Sequence, residues 1–216
     1  MDPQHFYTAF AAAFVRGKRP DLAHPDDGEA IARGLAAGLR LTRFKRLSEL
    51  PRVRRVLGVL RGLGPERVVD IGSGRGAFLW PLLDALPQVA VTVVDRLAHR
   101  VADIHAVHRG GIERLSGARM DVRALALADD AACVVTLLEV LEHLTDPRAA
   151  LAEVVRVARR AVVVSVPSRE DDNPEHLHLF SAERMTALFR DAGAARVNID
   201  YVHNHMVAVA RVDTTG

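Results

Sequence analysis

The chain has 216 residues, 49% of them apolar, and a formal net charge of +2. That apolar content fills a substantial core and excludes a disordered chain, while the single cysteine, Cys133, excludes a disulfide framework and reads as a buried, reduced thiol in a cytoplasmic protein. The apolar stretch over residues 6–15 is short and has Asp2 and no basic residue before it, so it reads as an amphipathic helix and not as a signal peptide or a membrane span.

Residues 1–64 are predicted as a helical extension. A helix covers residues 3–15, a loop rich in Pro, Asp and Gly covers 17–28, and further helices cover 29–39 and 51–63. Charge concentrates here: residues 33–67 hold ten Arg or Lys against two Glu, +8, which leaves −6 for the remainder. Such asymmetry suits an acidic partner, nucleic acid among them. Val53, Val56, Leu57 and Leu60 recur at helical spacing, however, which turns Arg52, Arg54, Arg55 and Arg61 toward other, solvated faces.

Residues 65–216 are predicted as a second unit, and it opens on RVVDIGSGRGAF over residues 67–78. The apolar run suits a buried strand, and helical spacing resumes with Ala77, Phe78, Leu82, Leu83 and Leu86. Gly72, Ser73, Gly74 and Gly76 therefore form a strand-to-helix loop whose backbone can approach a ligand. The spacing also fits the dinucleotide fingerprint. Asp70 separates the two readings, because a carboxylate aimed into the loop repels a pyrophosphate and attracts an ammonium.

A helix to about residue 85 leads into the strand AVTVVD, ending at Asp95 and followed by Arg96. A carboxylate there can accept from both hydroxyls of a ribose, and is equally placed to cap the next helix. That helix, residues 97–108, carries His99, His105 and His108; the last two lie three apart on one face with no acidic ligand at helical spacing beside them on that face, so the histidines read as solvated. A third strand over 118–120 ends in Asp121 and Val122. CVVTLLEVLEHLTDP, residues 133–147, then gives a buried strand flowing into Glu139, Glu142 and His143, which one helical turn places on one face. After a helix over 147–159 and the strand AVVVSVP comes a polar loop, 168–181, with His176 and His178; a helix capped by Ser181 and a hairpin turning at His203 and Asn204 complete the chain. Alternating strands and helices closed by a hairpin predict an α/β fold, a doubly wound, mostly parallel seven-stranded sheet with its ligand at the carboxyl ends of the strands.

D-x-G-x-G-x-G after a strand resembles the first motif of class I S-adenosylmethionine-dependent methyltransferases, and the likeness extends over residues 67–212. EVLEHL followed by a histidine-bearing loop and Phe-Ser is similar to the branch of ubiquinone-biosynthesis O-methyltransferases and to the small-RNA 2′-O-methyltransferases. The resemblance implies that Asp70, Gly72, Ser73, Gly74 and Gly76 hold the methionine part of S-adenosyl-L-methionine, Asp95 the ribose, and Asp121 and Val122 the adenine, with Arg96 and Glu139 also among the cofactor-binding residues. It implies catalytic roles for His143 and Glu142, and a divalent cation, Mg2+ or Mn2+, on Glu139, Glu142, His143 and His176 or His178. The acceptor implied is a small hydroxylated molecule; RNA is the alternative, set against few aromatic residues to stack bases, and a non-catalytic cofactor-binding or scaffold protein is the alternative of another class.

Overall fold

The computed structural model describes residues 6–46, 50–170 and 172–212. Three helices come first: α1 (Thr8–Lys18), α2 (Asp27–Ala36) and α3 (Pro51–Leu63). The first two differ from their predicted spans. Residues 17 and 18 belong to α1, a short 3-10 turn occupies Pro20–Leu22, and Asp26 caps α2 by accepting from the Glu29 N–H, so α2 starts two residues before the predicted 29 and ends at Ala36, not 39. The predicted residues 3–5 of the first helix lie outside the described residues.

The remaining elements are β1 (Arg67–Ile71), α4 (Leu79–Ala85), β2 (Ala90–Asp95), α5 (Ala98–Arg109), β3 (Leu115–Arg119), β4 (Ala132–Leu138), α6 (Pro147–Val157), β5 (Ala158–Pro167), α7 (Ala182–Asp191), β6 (Arg196–Val202) and β7 (His205–Arg211). They build one seven-stranded sheet of order β3-β2-β1-β4-β5-β7-β6, parallel except for β7. The final hairpin does not simply extend the edge: its second strand inserts beside β5 and leaves β6 outermost. β3 starts at Leu115, three residues before the predicted start, because LSGAR pairs with β2 although it lacks a run of branched apolar residues.

Alternating residues divide the sheet between two apolar layers. Val68, Val91, Val93, Val134 and Val163 face a core that also holds Phe10, Phe14 and Phe44 of the N-terminal segment, Val56 and Leu60 of α3, and Leu79 and Leu82 of α4. Val69, Val94, Val135, Val162 and Val164 face a second core against Leu151 and Val154 of α6 and Met185 and Phe189 of α7. The N-terminal helices thus share the core of the sheet's first face. α1 crosses α5 with backbones touching: a Cβ on Gly110 would sit 1.8 Å from the Ala13 carbonyl oxygen, and one on Gly17 would sit 1.9 Å from that of Ala106.

His105 and His108 are exposed, in keeping with the solvated reading, yet they also have partners. Their rings bond the carbonyls of Gly117 and Leu115, each at 2.8 Å, and so cover backbone acceptors of β3, the strand at one edge of the sheet. No helix among the described residues is long and apolar enough to cross a membrane.

Candidate active site

β1, β2 and β4 end side by side, and a cleft of about 800 Å3 opens at their carboxyl ends. Its lining includes Asp70, Gly72, Ser73, Gly74, Asp95, Arg96, Asp121, Val122, Glu139 and His143. The acids that end successive strands are therefore brought to one place, as expected at the switch point of a doubly wound sheet.

Asp70 lies at the floor, 2% exposed. The Ser73 hydroxyl donates to one carboxylate oxygen at 2.5 Å and the Thr136 hydroxyl to the other at 2.7 Å. Burial raises its pKa to about 6, a rise that these two donors limit and the nearby Asp95 reinforces. The glycine loop departs from the predicted direct entry into a helix. Residues 74–78 turn first, α4 begins only at Leu79, and it has seven residues, so the loop backbone and not a long helix terminus faces the cleft. Gly76 adopts φ +85°, and a Cβ there would lie 2.1 Å from Trp80 Nε1, the atom that donates to the Arg75 carbonyl at 3.1 Å. The loop is thereby held from beneath by an indole that leaves no room for a side chain.

Asp95 is buried, accepts from the Leu97 N–H at 2.9 Å, and meets Arg100 at 3.3 Å. It lines the cleft, but it does not cap α5, whose N-cap residue is Leu97 and has no side-chain cap; its carboxylate instead turns back onto the Leu97 N–H just before the helix. Asp121 is exposed, and Arg123 grips it through Nε at 3.0 Å and Nη2 at 2.7 Å, which holds its carboxyl down at about pKa 2. Val122 beside it is buried.

The EVLEHL segment is not one helical turn. Glu139 follows β4 with φ +58°, a left-handed conformation that an L residue adopts only under restraint, and a 3-10 turn then covers Leu141–His143. Glu139 is consequently turned away from Glu142 and His143. It accepts from the Ser165 hydroxyl at 2.8 Å, bonds His205 Nε2 at 3.1 Å, and lies 3.6 Å from Arg52 Nε. Arg52, read from the sequence as part of a solvated face, instead lines the cleft from α3 with Val53. A helical repeat reports the buried stripe and not what stands at the rim of that stripe, so its basic residue type was the only available signal.

Glu142 is wholly buried, 4.0 Å from His143 Nε2. His143 Nδ1 meets the Glu175 carbonyl at 3.0 Å, so in the neutral ring Nδ1 carries the proton and Nε2 the lone pair. The loop over 168–181 also brings His176 against His143, ring centres 4.9 Å apart, and one donor atom from each of Glu142, His143 and His176 falls within 4.8 Å of the others. His178 is directed elsewhere, with Nε2 on the Leu144 carbonyl at 2.9 Å and Nδ1 3.5 Å from Arg184. Of the five residues named for a cation, three converge and two are engaged apart from them.

Residues 69–162 match the family model described as a methyltransferase domain. Two curated relatives are similar: a malonyl-[acyl-carrier protein] O-methyltransferase of Geobacter sulfurreducens, 34% identical over 49% of this chain and 40% of its own length, and a ubiquinone biosynthesis O-methyltransferase of Ralstonia nicotianae, 33% identical over 55% and 48%. The chain thus spans less than half the length of these relatives. The solved structure of human N-acetylserotonin methyltransferase in complex with S-adenosylmethionine shares the fold, with a TM-score of 0.61 and 18% identity over 76% of this chain and 52% of that one. Over residues 69–162 the chain is thus similar to methyltransferases, and it shares its fold with an S-adenosylmethionine-dependent one.

Proposed function

We propose that this chain transfers the methyl group of S-adenosylmethionine to an oxygen of a small hydroxylated acceptor. The observation that carries this reading is the continuous lining of one cleft by Asp70, Asp95, Asp121, Glu139 and His143. Asp70 and the glycine loop face the donor's ammonium, Arg52 reaches its carboxylate from α3, Asp95 takes the ribose hydroxyls, and Asp121 with Val122 bounds the adenine. Both curated relatives are named O-methyltransferases, which supports oxygen as the atom methylated.

In the transfer, the acceptor oxygen forms a bond to the methyl carbon as the carbon–sulfur bond breaks, and the sulfonium takes back its electron pair. The acceptor proton passes to His143 Nε2. The Glu175 carbonyl holds the ring in the correct tautomer, and buried Glu142 lies beside the imidazolium that forms. The protein's remaining contribution is to hold donor and acceptor in line.

Glu142, His143 and His176 also fit a divalent cation, because a carboxylate and two imidazoles within 4.8 Å of one another form a set that suits Mn2+ or Zn2+ better than oxygen-seeking Mg2+. A cation bound there supplies Lewis acidity that makes an acceptor hydroxyl easier to deprotonate. RNA is the weaker reading, since much of the basic segment is turned to internal pairing: Arg33 with Glu29, Arg43 with Asp103, Arg46 with Asp84, Arg52 with Glu139 and Arg55 with Asp200.

Calorimetric titration with S-adenosylhomocysteine tests the donor site, and transfer of labelled methyl to a panel of phenols, catechols and hydroxy acids tests the acceptor. Saturable binding, with transfer lost in His143→Gln while binding of S-adenosylhomocysteine persists, is expected. An absence of binding by the wild-type chain overturns the reading.

A further inference from the structure

The loop that carries His176 sets Asn173 against that histidine, one member of the Glu142, His143, His176 cluster. Asn173 Oδ1 accepts from the Glu175 N–H at 3.0 Å, and that interaction decides which way the side-chain amide faces. The other end of the amide, Nδ2, then lies 3.0 Å from His176 Nε2. An amide nitrogen only donates, so a neutral His176 ring must accept at Nε2 and carry its proton on Nδ1. In that arrangement one ring nitrogen has its lone pair engaged by Asn173 and the other is protonated. A ring so held offers a cation no lone pair until the Asn173 contact is broken. His143 has the same tautomer but is anchored through the other nitrogen: its Nδ1 donates to the Glu175 carbonyl, and its Nε2 lone pair is presented. Asn173 and the Glu175 peptide thus give both imidazoles, centres 4.9 Å apart, the Nδ1–H tautomer, but only in His176 is the Nε2 lone pair already engaged.

We propose that Asn173 is a positioning residue that holds His176 in the Nδ1–H tautomer and thereby lowers the affinity of the cluster for a divalent cation. The proposal rests on the reading of Glu142, His143 and His176 as a cation set, and it adds a restraint on one member. Metal-ligating histidines usually donate their second ring N–H to an acceptor, which raises their basicity, and changes at such partners alter metal affinity by about 10- to 100-fold. Asn173 presents a donor where that pattern has an acceptor. Asn173→Asp reverses the polarity, because one carboxylate oxygen still accepts from the Glu175 N–H while the other accepts from His176 Nε2–H.

The test combines two measurements on the full chain. Long-range 15N–1H spectra of histidine-labelled, metal-free protein, at a pH where imidazole is neutral, read the His176 tautomer. Calorimetric titration with Mn2+ alone reads affinity. The wild type should show His176 protonated on Nδ1, Asn173→Asp should show it protonated on Nε2 and bind Mn2+ at least about tenfold more tightly, and Asn173→Ala should bind more tightly than the wild type. An Nε2–H tautomer in the wild type overturns the proposal, as does tighter Mn2+ binding by Asn173→Asp with no tautomer change. Weakening by Asn173→Ala to the level of His176→Ala overturns it too, since Asn173 would then only hold the loop. If neither wild type nor Asn173→Asp binds Mn2+ while the tautomers follow expectation, the cation reading falls and Asn173's control of the His176 ring stands.

Discussion

The Thr136 hydroxyl on β4 donates to the Asp70 carboxylate on β1 across 2.7 Å, inside the sheet and at the floor of the cleft. With Ser73 it limits the rise in pKa that burial imposes on Asp70, which stands at about 6. Thr136→Val removes one donor from a buried carboxylate. The expected loss of stability at neutral pH is about 1–3 kcal/mol, and the Asp70 pKa should climb further. Denaturant titration and the pH dependence of S-adenosylhomocysteine binding check both parts.

The Asp70 carboxyl also sets the sign of a pH effect. Its folded pKa, about 6, lies above the ordinary 3.8, so between these values the folded chain binds more protons than the unfolded one and loses stability as pH rises. The full effect is on the order of 3 kcal/mol and is complete above about pH 6. Asp70→Asn should flatten this slope and stabilise the free protein at pH 7–8 while abolishing donor affinity. In the wild type, a bound ammonium favours the carboxylate, so affinity should fall below about pH 6 and binding there should release a proton. Calorimetry in buffers of different ionisation heats reads that proton directly.

Arg52 is the charged cleft residue contributed by α3, 3.6 Å from Glu139. Arg52→Ala should weaken S-adenosylhomocysteine binding about tenfold or more, the value of one charge-assisted contact of about 1.5–3 kcal/mol. Adenosine, which lacks the amino acid end, should bind the variant and the wild type alike. Equal weakening for both ligands would show that Arg52 acts by holding Glu139 and not by meeting the donor.

At the edge of the sheet, His108→Ala and His105→Ala should each cost about 1 kcal/mol, because each uncovers a carbonyl of β3. His99→Ala, at an exposed position, should leave the unfolding midpoint unchanged.

The sheet and its carboxyl edge were legible because β1, β2 and β4 are short apolar runs with a carboxylate at or next to their ends, a local pattern that survives folding unchanged. Asp70, Asp95 and Glu139 could be placed at strand ends in this way. What escaped was anything decided between elements. Arg52 belongs to a helix whose repeat shows its buried stripe, but only the packing of α3 beside the cleft shows that the neighbouring position faces the cleft. Glu139, Glu142 and His143 have helical spacing, yet the left-handed residue after β4 separates the first from the other two. His105 and His108 find their partners on β3, a strand whose start the sequence conceals. His176 and His178 share one motif, and only the path of the loop assigns one to His143 and the other to the Leu144 carbonyl.

Trp80 is the single tryptophan of the chain, and its indole N–H is bonded to the Arg75 carbonyl of the glycine loop. The protein therefore contains one indole fluorophore, attached to the peptide proposed to hold the methyl donor. Any rearrangement of that peptide on binding alters the environment of one indole and no other. Donor occupancy, exchange with S-adenosylhomocysteine and product release can thus be followed by emission in the unmodified chain, turnover by turnover, without a label.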